Sequence, residues 1–117
     1  MTLQEREARA CAIIDSMTEE LRDISLYLHD NPELGLNEHK AVKVINQFLE
    51  THNFTSQVGL TDLPELQTAL RGDYNGTAQH KIAFLGEYDA LPELGHGCGH
   101  NLIAMMSLGA AIAFSQS

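Results

Sequence analysis

One short segment of the chain concentrates side chains that could bind a metal or catalyse a reaction. It consists of residues 86–92 and 95–101, which contain two carboxylates, two histidines and a cysteine: Glu87, Asp89, His96, Cys98 and His100. Glycines separate these residues, so the backbone can bend closely and bring neighbouring side chains together. Thiolate, imidazole and carboxylate groups are the ligands that zinc prefers in proteins. The segment therefore predicts part of a metal-hydrolase active site.

Within this segment, Cys98 and His100 are the strongest candidates for metal ligands. They are two positions apart, so in extended backbone their side chains would point to the same side and suit zinc or another borderline metal. Asp89 could accept a hydrogen bond from a ligand histidine and raise its basicity. Glu87 could do the same or bind the metal. His96 is a further candidate, and either it or His100 could instead be the outer partner.

Other interpretations of the same residues stay open at this point. A glycine-rich loop with one buried cysteine and hydrogen-bonded histidines needs no metal, because structural zinc sites normally show four ligands. A cysteine protease would use Cys98 with a histidine, and the N-terminus of the following helix could activate the thiol. A phosphate-binding loop is disfavoured because no lysine follows the glycines.

The segment lies between a predicted strand and a predicted helix, a common place for ligand sites in α/β sheets. Residues 81–86 are almost continuously apolar, which favours a strand covered on both faces. After the segment, Asn101 is predicted to cap a final helix from Leu102 to Phe114. That helix is apolar on every side, which is typical of the interior of a larger protein.

Two helices are predicted upstream of the segment. The first runs from about Leu3 to His29 and ends before Pro32, and its apolar stripe contains Ala10, Ile13, Ile14, Met17, Leu21, Ile24 and Leu28. The second is capped by Asn37 and runs from about Glu38 to His52, and its inner face contains Ala41, Val44, Ile45, Phe48 and Leu49. His29 and Glu33, between the helices, could be functional, but a polar helix end and a turn also explain them.

The middle of the chain predicts short strands and turns. Residues 55–58 are a strand candidate, residues 61–64 predict a turn, and residues 66–71 alternate apolar and polar side chains as a half-buried strand does. Residues 72–76 predict a loop whose Asn-Gly pair would join antiparallel strands. The predicted fold is therefore one α/β layer arrangement, with helices packed on a mixed sheet.

The totals exclude several classes of function. A length of 117 residues suits one domain, and the net charge of −9 argues against nucleic acid as a partner. The N-terminal residues lack a signal-peptide pattern, and no apolar run reaches the ~20 residues that span a bilayer. We expect no membrane partner and a cytoplasmic location, where Cys11 and Cys98 would not form a disulfide.

Two motifs resemble a known family. Gly-Glu-Tyr-Asp-Ala-Leu-Pro at 86–92 and Gly-His-Gly-Cys-Gly-His-Asn-Leu at 95–102 resemble the signature of the aminoacylase and carboxypeptidase-G-like amidohydrolases, peptidase family M-twenty. Leu-His-Asp-Asn-Pro-Glu-Leu-Gly at 28–35, followed by Glu38, resembles the other N-terminal motif of one branch of that family. This branch, which the chain resembles most, holds amidohydrolases of amino-acid conjugates, dipeptidase-like proteins and aminobenzoyl-glutamate hydrolases.

The resemblance implies a partial zinc-peptidase-like catalytic domain that hydrolyses amide bonds with two divalent metals, zinc or manganese. Carried over by position, Cys98 and His100 would be metal ligands, and Asp89 would be the catalytic acidic residue that orients the metal cluster. Glu87 stands where other branches have a metal-binding histidine. The substrate would be a small amide or dipeptide, and the full-length form would self-associate as a homodimer.

The chain also departs from the family pattern. In the family, the general base lies in a Glu-Glu pair downstream of Cys-Gly-His, and the remaining metal ligands and a lid or dimerisation domain also lie downstream. In this sequence no Glu-Glu pair follows Cys-Gly-His, and the pair Glu19-Glu20 lies upstream of it. We therefore expect residues 1–117 to form the N-terminal portion of a metallohydrolase catalytic domain that is inactive alone. Two alternatives remain: a non-catalytic metal-binding or interaction module, and a truncated gene product without independent function.

Overall fold

A computed structural model describes residues 1–60 and 62–117. In this part of the chain the elements are α1 (Leu3–Ser16), α2 (Thr18–Asp30), α3 (His39–Thr51), β1 (Thr55–Val58), β2 (Leu70–Asp73) and α4 (His100–Gln116). The predicted α/β class is confirmed, but the sheet that the described residues form is a pair of antiparallel strands and not the predicted mixed sheet.

The core forms where α4 packs on α1 and α2 while α3 packs on α2 and on both strands. The largest fully buried side chains are Leu28, Ile45 and Ile112, one each from α2, α3 and α4. Burying an aliphatic side chain of this size stabilises a fold by about 1.5–3 kcal/mol. These contacts hold the N-terminal helices against the helix that follows the glycine-rich segment.

The prediction of one long first helix is wrong, because the helix breaks at Met17. This residue has φ −103° and ψ 6°, and it ends α1 and precedes α2. The hydroxyls of Ser16 and Thr18 donate to the carbonyls of Ile13 and Asp15, at 2.6 and 2.8 Å. Such side-chain bonds to the backbone compete with the helical ladder. The break buries Met17 in the core.

The second predicted helix matches α3 closely. Its buried side chains are Ala41, Val42, Ile45, Phe48 and Leu49. Four of the five residues predicted for the inner face are among them, and the fifth, Val44, packs at the edge of the core. The predicted cap at Asn37 is wrong: Glu38 is the N-cap residue, and its side chain makes no capping bond. The carboxylate of Glu33 performs that role from outside the helix.

The strand predictions are confirmed in one place and corrected in two. Residues 55–58 form β1, which pairs antiparallel with β2 in the register Thr55 to Asp73. The second strand covers 70–73 instead of 66–71, so it includes the first residues of the predicted loop at 72–76. The turn predicted at 61–64 includes Thr61, which lies outside the described residues, while residues 62–66 form turns.

Residues 81–86 form no strand, contrary to prediction. An interior strand bonds its backbone to neighbours on both sides, and the sheet formed by the described residues contains β1 and β2 alone. Ile82 and Leu85 are 62% and 88% exposed instead of covered on both faces. The predicted antiparallel pairing through Asn75-Gly76 is therefore also wrong.

The final helix begins earlier and ends later than predicted. Its N-cap is Gly99 and its first residue is His100, so Asn101 lies inside the helix and is not its cap. As predicted, its faces are apolar, and Leu102, Met106 and Phe114 remain exposed. Among the described residues, none of the helices is both long and apolar enough to cross a membrane.

Candidate functional site

The centre of the candidate site is the imidazole of His100, which lies between two carboxylates. Its Nδ1 atom is 2.7 Å from Oδ1 of Asp89 and 3.1 Å from the carbonyl oxygen of the same residue. Its Nε2 atom is 2.9 Å from Oε2 of Glu87. A carboxylate on the Nδ1 side fixes the orientation of the ring and makes the other nitrogen a better ligand or base.

The backbone before α4 presents His100 at the start of the helix. Gly99 has φ 82°, in the left-handed region that glycine adopts without steric penalty. Gly97 and Cys98 lie in a turn, so this stretch is not extended. The extended backbone on which the pairing of Cys98 and His100 was argued is therefore not present.

A link between the two sequence motifs holds Asp89 in place. The amide of Ala90 donates to the carbonyl of Glu33 at 2.7 Å, and Ala90 forms a parallel bridge with Leu34. Gly35 lies so close that an added Cβ would be 3.7 Å from Oδ2 of Asp89. The segment at 28–35 thus forms one wall beside the carboxylate that orients His100.

Glu33 has a structural role in this wall. Its carboxylate accepts hydrogen bonds from the amides of Lys40 and Ala41, at 3.0 and 2.9 Å. These are unpaired amides of the first turn of α3, where a negative charge is also favoured by the helix dipole. His29 is exposed and lies 3.3 Å from Asp30. The structure therefore supports the interpretation of these residues as a helix end and a turn.

Cys98 and His96 have contrasting surroundings. Cys98 is a free, exposed thiol, so the interpretation that needs a buried cysteine is wrong. His96 is buried, and among the residues that the structure describes its Nδ1 atom has no hydrogen-bond partner. Burial lowers the pKa of His96, and the charges of His29 and His100 lower it further, against the opposing effects of the Leu28 backbone and Asp89. A neutral imidazole is the form that binds metals.

The donor atoms suit a metal, although they do not converge on one point. Among residues 1–60 and 62–117, no three histidine, cysteine or carboxylate side chains form a group that could hold a metal ion. The unpartnered Nδ1 of His96, the carboxylate-held ring of His100 and the free thiol of Cys98 are nevertheless the donor types of zinc sites. Their assignment as ligands stays a prediction.

Three further residues belong to the surroundings of the site: Glu38 and Tyr88, which accompany the two motifs, and Thr68, which lies outside both. Thr68 and Tyr88 connect to Glu38 through hydrogen bonds, and Glu38 is a buried carboxylate. Thr68 lies in a stretch of the sequence that carries no motif. No local pattern marks a contact between residues 30 positions apart.

Comparison with known proteins identifies relatives with hydrolase names. The chain is 37% identical to the Xaa-Arg dipeptidase of Mus musculus over 110 residues, and 34% identical to that of Homo sapiens over 113 residues. It is 31% identical to one of the subunits of the p-aminobenzoyl-glutamate hydrolase of Escherichia coli over 117 aligned positions. These alignments cover 89%, 89% and 86% of this chain, respectively. No protein-family model matches the chain.

These relatives confirm the resemblance that the motifs predict. The chain is a relative of the amidohydrolases and dipeptidases of peptidase family M-twenty. It spans about a quarter of the length of these curated relatives, with 26%, 26% and 24% of each covered.

Proposed function

We propose that this chain contributes one part of the active site of a metal-dependent amidohydrolase. The reaction would be hydrolysis of the amide bond of N-acyl amino acids, dipeptides or similar conjugates. The observation that carries the proposal is the Asp89–His100–Glu87 arrangement, in which one imidazole is held between two carboxylates. The dipeptidase and hydrolase names of the relatives support the same class of reaction.

Each site residue has a defined role in this proposal. Cys98 and His100 hold a divalent metal, zinc or manganese, and His96 and Glu87 are further donors. Asp89 accepts a hydrogen bond from Nδ1 of His100, so Nε2, which lies 2.9 Å from Oε2 of Glu87, is the nitrogen that would bind the metal. In a complete site, two bound metals would supply Lewis-acid chemistry, which is polarisation of the scissile carbonyl and activation of a water. The general base would come from outside the residues that the motifs match.

Metal binding by the chain tests the assignment of ligands. We expect zinc, measured by titration calorimetry and elemental analysis, to bind the unaltered chain more tightly than the variants Cys98→Ser and His100→Ala. Cys11→Ser and His39→Ala are matched controls, because both side chains are exposed and lie outside the segment. Equal zinc content in all five proteins would remove Cys98 and His100 from the site.

An activity assay tests whether the chain is sufficient for the reaction. The resemblance assigns two metal ligands, Cys98 and His100, and the orienting acid Asp89 to this chain. Because the general base is not among these residues, we expect no turnover. The purified chain would be incubated with zinc or manganese and with acyl-amino acids or dipeptides. Hydrolysis above that of metal-free controls would show that a complete site exists in this chain.

A second candidate function is self-association through α4. An apolar groove of ≈670 Å³ lies between α1, α2 and α4, and its lining includes Leu26, Leu102 and Met106, which are 49%, 58% and 71% exposed. Exposed apolar patches of this kind mark interaction sites. We propose a second copy of the chain as the occupant. Light scattering should then show dimers that Met106→Glu dissociates, and a monomer at high concentration would contradict this.

A further inference from the structure

A continuous path of hydrogen bonds leads from the first motif to the residue before Asp89. The hydroxyl of Tyr88 donates to the carbonyl of Thr68, and the hydroxyl of Thr68 donates to Oε2 of Glu38. The other carboxylate oxygen of Glu38 accepts from the amide of Leu36 at 2.8 Å. Three segments that are distant in sequence are thus joined through Thr68, which accepts one bond and donates the next.

The middle of the path lies in the interior of the protein. Thr68 is 3% exposed and Glu38 is 8% exposed. A buried carboxylate destabilises a fold unless its oxygens have hydrogen-bond partners, and here both oxygens have one. The arrangement therefore constrains each side chain, because loss of any member would leave a buried polar atom without a partner.

The donors and acceptors can be arranged in only one direction. The carbonyl of Thr68 can only accept, so Tyr88 must be the donor in that contact. Burial raises the pKa of Tyr88 to about 12, and the charge of Glu38 contributes to the same shift. The phenol therefore keeps its proton and remains a donor at neutral pH.

The end of the path adjoins the candidate site. Tyr88 precedes Asp89, whose carbonyl and carboxylate both lie within hydrogen-bond distance of Nδ1 of His100. On the other side, Gly35 lies between the two carboxylates: an added Cβ would be 3.7 Å from Asp89 and 3.9 Å from Glu38. The backbone of residues 88–89 is thus held both through the Tyr88 ring and by the wall at Gly35.

We infer that Glu38, Thr68 and Tyr88 form a positioning network that fixes Asp89 against His100. The hydrogen bonds of His100 involve none of these three residues, which act through the backbone at residues 88–89. A role of this network in catalysis rests on the proposed function. The contact between Asp89 and His100, however, exists in the metal-free chain.

The inference is tested by the exchange rate of the His100 Nδ1 proton with water. This proton is observed by NMR in the metal-free chain at one fixed pH and assigned with a His100→Gln variant. We expect Thr68→Val and Tyr88→Phe to accelerate its exchange about fivefold or more, the factor that loss of one typical buried hydrogen bond produces. Thr68→Ser restores the hydroxyl and should retain the exchange rate of the unaltered chain.

Controls separate positioning from a general loss of stability. Thr51→Val and Tyr27→Phe remove hydroxyls from exposed residues of α3 and α2 and should leave the exchange unchanged. Circular dichroism reports whether each variant is folded. If Thr68→Val does not fold, Tyr88→Phe decides the question, because it removes a single oxygen from a half-buried ring.

The possible outcomes distinguish this inference from the proposed function. Unchanged exchange in folded Thr68→Val or Tyr88→Phe overturns the positioning network, as does equal acceleration by Thr68→Val and Thr68→Ser. Neither result concerns metal binding. Conversely, a chain that binds no zinc but shows the expected exchange pattern would contradict the proposed function and leave the network standing.

Discussion

Oδ1 of Asp89 lies 2.7 Å from Nδ1 of His100, while Oε2 of Glu87 lies 2.9 Å from Nε2 of the same ring. The two carboxylates differ in exposure: the side chain of Asp89 is 37% exposed and that of Glu87 is 65% exposed. Asp89 is therefore the more enclosed partner, on the Nδ1 side of the ring, and Glu87 is the more exposed partner, on the Nε2 side.

The first prediction concerns the charge of Asp89. Asp89→Asn keeps the shape of the side chain but removes the negative charge that fixes His100. We expect the affinity for zinc, measured by titration calorimetry, to fall about 10- to 100-fold, as for other partners of ligand histidines. Asp30→Asn is the matched control, since Asp30 forms an exposed contact with His29. An unchanged affinity in Asp89→Asn would show that the pair does not support metal binding.

The second prediction concerns the capping of α3 by Glu33. Glu33→Ala removes the carboxylate that accepts from the amides of Lys40 and Ala41. We expect the free energy of unfolding, measured with urea, to fall by about 1–2 kcal/mol, the usual effect of losing a helix cap. Glu50→Ala, at the exposed other end of α3, should have little effect. Equal destabilisation by both variants would argue against the cap.

The third prediction concerns the buried link between α2 and α4. The side-chain amide of Asn101 donates to the carbonyl and hydroxyl of Ser25, at 3.3 and 3.2 Å. Asn101→Ala leaves these buried oxygens without their partner, so we expect a loss of about 1–3 kcal/mol in unfolding free energy. Asn75→Ala, in an exposed loop, serves as the control. Additive effects of Asn101→Ala and Ser25→Ala in a double-mutant cycle would show that the two side chains are not coupled.

The fourth prediction concerns the pH dependence of stability through Tyr88. Burial and the charge of Glu38 raise the pKa of this phenol from 10.0 to about 12. Between these values the folded chain keeps a proton that the unfolded chain releases, so the free energy of unfolding should fall as pH rises from 10 to 12. Tyr88→Phe should remove this part of the pH dependence, and Tyr27→Phe should preserve it. Ultraviolet absorbance at each pH would follow the phenolate directly.

Local patterns explain which elements the sequence predicted well. The inner face of α3 follows from apolar residues at helical spacing, and four of its five predicted positions are buried. Strand β1 was also predicted at its observed residues. Both elements are specified by side chains that are close in the sequence, so their periodicity carries the necessary information.

Contacts between distant residues explain the errors. The cap of α3 comes from Glu33, several residues before the helix, and α2 is separated from α1 by hydroxyl bonds at Ser16 and Thr18. Residues 81–86 have the composition of a buried strand, yet neither β1 nor β2 pairs with them. A strand depends on its neighbours, which composition cannot supply.

In the candidate site too, local sequence patterns were predictable and contacts between distant residues were not. Its residue types and spacing were visible in the sequence, and so was the possibility that Asp89 binds a histidine. The choice of His100 over His96 as the partner of Asp89 required the geometry of the turn at residues 97–99. The positions of Thr68 and Tyr88 around Glu38 could not be predicted, because their bonds span 30 and 20 positions.

The bond between Ser25 and Asn101 has a consequence for what holds the site together. These residues are separated by 76 positions, and the residue beside Asn101 is His100. Closing a long loop carries a chain-entropy penalty, which the packing of α4 on α2 must offset. The place of the imidazole at the centre of the site therefore depends on long-range contacts with the N-terminal helices, which provide the surface that receives α4.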